Sequence, residues 1–160
     1  MSKVPFEHKM NIKIPQALVE EHRTLMAEID KGTHEGGLVG EAALALRAAV
    51  ASHIERDNNV VLPVLGLLSA LVHDHLDMDL GELSLILDQV RTEIPRLASE
   101  HKALQAAANR LGDAARRENK PEYITFAFQL WLHMDEEEAV YYPAAQLVDA
   151  VIRIRHVLDF

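Results

Sequence analysis

The chain has no cysteine. Disulfides, thiolate metal sites and cysteine nucleophiles are excluded, and the absence fits a reducing, cytoplasmic setting. Aromatic residues are scarce, with four Phe, three Tyr and one Trp in 160 residues, and only seven Gly and six Pro punctuate the chain. Being 49% hydrophobic, chiefly through Ala and Leu, such a sequence favours long helices. Basic residues are outnumbered, 16 Lys and Arg against 25 Asp and Glu, giving a formal charge of −9. That balance supplies no basic stripe for nucleic acid and disfavours an anionic membrane as partner. Long hydrophobic runs are also missing: the longest, residues 60–72, contains Pro63 and is too short to span a bilayer. The opening MSKVPFEHKMNIK lacks the apolar centre of a secretion signal.

What is present is helical periodicity over a length that suits one domain. Residues 1–13 are aperiodic and read as an arm containing a solvated His8, with a single domain over 14–160. Pro15 suits a first helical turn, and Leu18, His22, Leu25, Met26 and Ile29 then share a face as far as Gly32. His34 falls in the following loop. A second helix starts near Leu38 or Gly40, with Leu46, Ala49, Val50, His53, Asp57, Val60 and Val61 inward, and Pro63 kinks or ends it. A short apolar helix over 64–72 leads to a polar turn over 73–79, where His73 and His75 read as a solvated helix end. A helical lead-in over 80–90 precedes Pro95, which restarts or kinks a helix carrying Leu97, His101, Leu104, Ala108 and Leu111. Asn119-Lys120-Pro121 is a junction. The last long helix spans 123–142 and is interrupted at Pro143. A final helix over 144–158 buries Leu147, Val151, Ile154 and Leu158 and leaves His156 exposed.

The chain repeats itself. Ile14-Pro15, Leu18, Glu21-His22 and Leu25 are echoed by Ile94-Pro95, Leu97, Glu100-His101 and Leu104, while His53, Asp57 and Pro63 recur as His133, Glu137 and Pro143 at an offset of eighty. Repeat halves of about 14–75 and 94–158 therefore predict an all-α, up-down four-helix bundle built from two similar hairpins, with short additional helices after the prolines. His133 and Glu137 stand one turn apart on a stripe shared with Phe126, Leu130, Val140 and Tyr141, so both side chains face the core. A buried imidazole and carboxylate require partners. Four histidines and two carboxylates at matched positions point to a metal between the halves. Such a set suits a pair of borderline or hard transition ions, with carboxylate bridges and open positions for an oxo or hydroxo bridge and a small ligand. Iron is favoured, then manganese; a structural zinc site closes with four ligands. Glu21 and Glu100 read as solvated glutamates, with orientation of neighbouring histidines as the alternative. Trp131, Tyr141 and Tyr142 read as packing residues, and in the acidic run 135–138 only Glu137 points inward.

The pattern His22, His53-x-x-x-Asp57, His101, His133-x-x-x-Glu137, with Leu-Pro and Tyr-Pro following the paired motifs, resembles the HHE cation-binding branch of the hemerythrin family over residues 12–158. The resemblance implies a non-haem di-iron centre. It pairs His22 and His53 as terminal ligands of one iron and His101 and His133 of the other, with Asp57 and Glu137 bridging. It also implies binding or sensing of O2 or NO, or iron handling. Composition, rather than the resemblance, suggests a cytoplasmic protein, and the apolar faces of 64–72 and 147–158 exceed what four core helices need, so they are expected to cap the bundle or to form a homodimer contact. The alternatives are a di-iron enzyme acting on peroxide or O2, and a structural bundle whose metal site has decayed. Two departures stand out. Aspartate occupies position 57 where the family has glutamate, and no residue supplies the fifth histidine of hemerythrins proper, since His73 and His75 lie about 30 Å beyond His53 along a straight helix. Glu55 faces away from His53 and is no substitute for Asp57.

Overall fold

The computed structural model describes residues 12–73, 76 and 80–158. His8 and His75 lie outside them. Every regular element among the described residues is helical: α1 (Gln16–Thr33), α2 (Gly37–Arg56), α3 (Leu62–Leu65), α4 (Leu68–Val72), α5 (Leu80–Glu118), α6 (Pro121–Glu136) and α7 (Tyr142–Leu158). Helices α1, α2, α5 and α6 pack as a four-helix bundle. Three residues join α1 to α2 and two join α5 to α6, so each pair is an antiparallel hairpin.

The hairpin turns follow from local chemistry. Gly36 and Gly37 adopt positive φ values of 70° and 57° where α2 begins, and the Glu118 carboxylate accepts hydrogen bonds from the first amides beyond them, Leu38 (2.6 Å) and Val39 (3.2 Å). Asn119 takes φ 54° just past α5, a left-handed position that asparagine tolerates, and Pro121 opens α6. The junction at 119–121 is thus as expected.

Of the two outcomes expected at Pro95, a restart or a kink, the restart is excluded. The proline neither ends nor restarts a helix, because α5 runs through it for 39 residues. The repeated Ile-Pro pair has two uses: Pro15 stands before α1, whereas Pro95 is internal. Leu83, Ile86, Val90 and Ile94 bury their side chains in one apolar cluster, and that burial holds the turns before the proline despite the lost backbone bond.

Two wide helical turns are the feature that periodicity alone does not predict. Residues Asp57–Val61 and Glu137–Tyr141 form π-turns in which the amide of Leu62 donates to the Asp57 carbonyl and that of Tyr142 to the Glu137 carbonyl. Each lies just before a proline, Pro63 or Pro143, whose ring has no N–H and crowds the carbonyl four residues back; widening the preceding turn relieves both problems. The extra residue rotates everything downstream. Tyr142 is buried at 3% exposure, whereas Val140 is 54% exposed and Tyr141 lies between. In α7 the inward set is Ala145, Val148, Asp149 and Ile152, and the expected Leu147, Ile154 and Leu158 are exposed.

The apolar interior is two clusters rather than one. Leu25, Ile29, Leu46, Leu111, Phe126 and Leu130 belong to the cluster toward the hairpin turns. Val64, Leu71, Leu87, Leu97, Val148 and Ile152 belong to the other, where α3, α4 and α7 cover the first half of α5. The apolar face over 64–72 is used largely in that cap, whereas of the face expected over 147–158 only Val151 packs against it, in part, and Val148 and Ile152 supply the buried contacts instead. The helical run Gly37–Val72 is long and apolar enough to cross a membrane by length and hydropathy alone. Its buried face, carrying His53 and Asp57 against neighbouring helices, makes it a core element of the bundle.

Candidate metal centre

Among the described residues, six of the seven buried polar or charged side chains are the six singled out above: His22, His53, Asp57, His101, His133 and Glu137, each 1–3% exposed. Each is inward for a simple reason. His22 continues the Leu25–Ile29 face of α1, His53 the Leu46–Val50 face of α2, His101 the Leu97–Leu104 face of α5, and His133 the Phe126–Leu130 face of α6.

The structure groups them into two triads that share one carboxylate. His22 Nε2 lies 3.7 Å and His133 Nε2 3.1 Å from Glu137 Oε1. His53 Nε2 and His101 Nε2 lie 3.3 and 3.0 Å from Glu137 Oε2, and 3.0 Å from each other. Each triad, His22–His133–Glu137 and His53–His101–Glu137, brings its donor atoms close enough to hold one metal ion. The expected split, His22 with His53 and His101 with His133, is therefore replaced by pairs drawn from opposite hairpins. The reason is geometric: α1 faces α6 and α2 faces α5 across the bundle, so donors meet between the repeats rather than within them.

The outer ring nitrogens explain why the inner ones are available. His53 Nδ1 donates to Glu100 (3.1 Å), His133 Nδ1 to Glu21 (3.1 Å), His101 Nδ1 to Glu138 (2.7 Å) and His22 Nδ1 to Asn58 (2.8 Å). With the proton held on Nδ1, each Nε2 keeps its lone pair pointing inward. Each acceptor is the chain neighbour of a candidate ligand, so the arrangement is two-fold: Glu21 and Glu100 precede His22 and His101, while Asn58 and Glu138 follow Asp57 and Glu137. Glu21 and Glu100 are thus partly exposed orienting groups, not simply solvated ones. Partial burial raises the Glu100 carboxyl, but Arg56 and His53 overcome this and hold it below the usual carboxylate range. Asn58 and Glu138 were not legible from face patterns, since both stand beside the inward residue. Their signal was the matched position after each carboxylate.

Electrostatics separates the two buried carboxylates. Burial pushes Glu137 upward, but contacts with His101, His133, His22 and His53 prevail and hold it ionised, well below the ordinary value. Asp57 is pushed up to about 9, by burial first and then by the Glu137 charge. His133 is raised overall: burial lowers it, and Glu137 more than compensates. Burial, with Glu137 and Asp57 nearby, also raises the Tyr142 phenol.

Protein partners alone do not satisfy this cluster. Asp57 Oδ2 and His133 Nε2 are completely buried and make no hydrogen bond of acceptable geometry, although His53 Nε2 is 3.2 Å from the first and Glu137 Oε1 3.1 Å from the second. His53 Nε2 and His101 Nε2, each left without a proton by its Nδ1 partner, face one another lone pair to lone pair. The Tyr142 hydroxyl, 3.3 Å from His101 Nε2, offsets part of that repulsion, and a cation between the nitrogens removes it. The donor set of imidazole nitrogens and carboxylate oxygens fits a pair of divalent or trivalent transition ions. Glu55 and His73 are exposed, and His34 and His73 each contact a backbone carbonyl, so none enters the site. Comparison with family models, curated proteins and solved structures gives no match.

Proposed function

We propose that the protein is a non-haem di-iron protein of the hemerythrin-like kind, which binds or senses a small diatomic ligand, O2 or NO. The observation that carries this reading is the division of Glu137, which offers Oε1 to one His pair and Oε2 to the other. A carboxylate so placed spans two ions, and imidazole nitrogens with carboxylate oxygens suit several transition ions, among which the motif resemblance selects iron. The motif resemblance of the four histidines and the paired carboxylates supports the same family. Bound there, the ions supply an open coordination position for a small ligand.

Binding is put before turnover on the motif resemblance, and the surroundings carry features of both. A small void beside the site is bounded by Leu18, Val61, Leu62 and Tyr141 together with His22, Asp57, Glu137 and Tyr142. Leu18, Val61 and Leu62 give the void an apolar side, as a bound diatomic ligand requires, while the Asp57 carboxyl, which holds its proton to about 9, and the Tyr142 hydroxyl are proton donors of the kind that promote bond cleavage.

The test is metal content and the visible spectrum of protein made in iron-replete cells, followed by titration with O2, NO and peroxide. About two irons per chain are expected, as in other four-helix di-iron carboxylate sites, with a stable ligand-dependent spectrum. His133→Ala and Glu137→Ala lose the iron while retaining helicity. An iron-free wild type, or undiminished iron in both variants, overturns the reading. Rapid loss of peroxide reassigns the centre to an enzyme.

A further inference from the structure

We propose that Tyr142 is an additional metal ligand, its phenolate oxygen binding the ion held by His53, His101 and Glu137 Oε2. This rests on the metal reading above and adds a donor that it does not include. Tyr142 Oη lies 3.3 Å from His101 Nε2 and 3.4 Å from Glu137 Oε2. Donor atoms bound at right angles to one ion at about 2.1 Å stand about 3.0 Å apart. The His53–His101–Glu137 triad already has edges of 3.0, 3.0 and 3.3 Å, and the phenol oxygen extends the same polyhedron by one vertex.

The π-turn places it there. With regular 3.6-residue periodicity, position 142 lies about 140° round the helix from 137. The wide turn, closed by the Tyr142 amide on the Glu137 carbonyl, returns residue 142 to the face of Glu137. The ring stacks on His101 with centroids 5.6 Å apart and planes 21° from parallel, which fixes its direction. Among the described residues its hydroxyl meets Asp57, His101 and Glu137, all candidate ligands.

The repeat makes the assignment one-sided. The residue eighty positions earlier is Leu62, buried at 2% and unable to ligate. At the partner position of Glu137 stands the shorter Asp57, and the Tyr142 hydroxyl donates to Asp57 Oδ1 at 3.3 Å in the space that arrangement leaves. The two ions are therefore unlike. One gains a phenolate, and the His22–His133 ion keeps the open position, next to the void walled by Leu18 and Leu62. On binding, the phenol O–H bond is replaced by an oxygen–metal bond, its proton is released to solvent, and the ion's oxidation state does not change.

The experiment loads the full chain with iron in air and records iron content, visible absorption and resonance Raman spectra for wild type, Tyr142→Phe and Tyr141→Phe. Wild type is expected to show a phenolate-to-iron(III) charge-transfer band with enhanced tyrosine ring modes. Tyr141→Phe keeps both, and Tyr142→Phe loses both while retaining iron. Iron-loaded wild type without phenolate modes overturns the assignment and leaves the di-iron reading standing. Persistence of the band in Tyr142→Phe overturns it equally. A wild type that binds no iron removes both. Should Tyr142→Phe fail to fold, the wild-type Raman spectrum decides.

Discussion

Glu100 accepts a hydrogen bond from His53 Nδ1 at 3.1 Å, and so turns His53 Nε2 toward the Nε2 of its own chain neighbour, His101, 3.0 Å away. One surface-edge carboxylate thereby sets the tautomer of a histidine 47 positions earlier on another helix. Removing it frees the proton to move to Nε2, where it blocks metal. Glu100→Ala is expected to weaken metal binding by about 10–100-fold, the usual cost of losing such an outer partner. Chelator competition measures it, with circular dichroism showing intact helices; unchanged affinity refutes the tautomer argument.

Glu137 is the side chain that reaches both triads. Glu137→Gln preserves size but replaces one oxygen by an NH2 group, which cannot ligate. Stoichiometry is expected to fall from about two ions per chain to one or fewer. Metal analysis after gel filtration checks this, and retention of both ions would show that Glu137 does not bridge.

Asp57 gives the metal-free chain a pH dependence of unusual sign. In the fold it holds its proton to about 9, while unfolded it ionises near 3.8. Between these values the native chain binds the extra proton, so stability falls as pH rises. The contribution is complete below 3.8 and lost as pH climbs through about 9. Asp57→Asn carries no such proton. Its stability relative to wild type should improve between about pH 5 and pH 8 by more than about 1 kcal/mol, since a tenfold change in proton affinity corresponds to about 1.36 kcal/mol. Urea unfolding of chelator-treated proteins tests it, and parallel pH curves for the two would contradict it. The same substitution is expected to weaken metal binding, so that stability and function are opposed at this position.

Pro143 maintains the wide turn that carries Tyr142 inward. Pro143→Ala restores an N–H able to bond the carbonyl of Ala139 in regular α register, which rotates Tyr142 out of the site. Weaker iron retention with little change in helicity is the expected result, measured by chelator-driven iron release. Release kinetics identical to wild type would show that the π-turn persists without the proline.

Much of this protein is written in local spacing. The four helical faces, the turns at Gly36-Gly37 and Asn119, and the six inward polar residues all follow from periodicity and an eighty-residue echo, because helix formation and amphipathic burial are decided within a few turns of chain. Which donors share an ion was not decided there. His22 meets His133 and His53 meets His101 only because the two hairpins pack face to face, a relation between residues far apart in sequence. Register after the paired motifs was also a matter of tertiary structure. Periodicity offered Val140 and Tyr141 as the continuing face; a single wide turn before Pro143 substituted Tyr142. Moving the register by one residue costs little in local energy yet rotates the chain by about 100°, so packing chooses it and the sequence pattern does not reveal it.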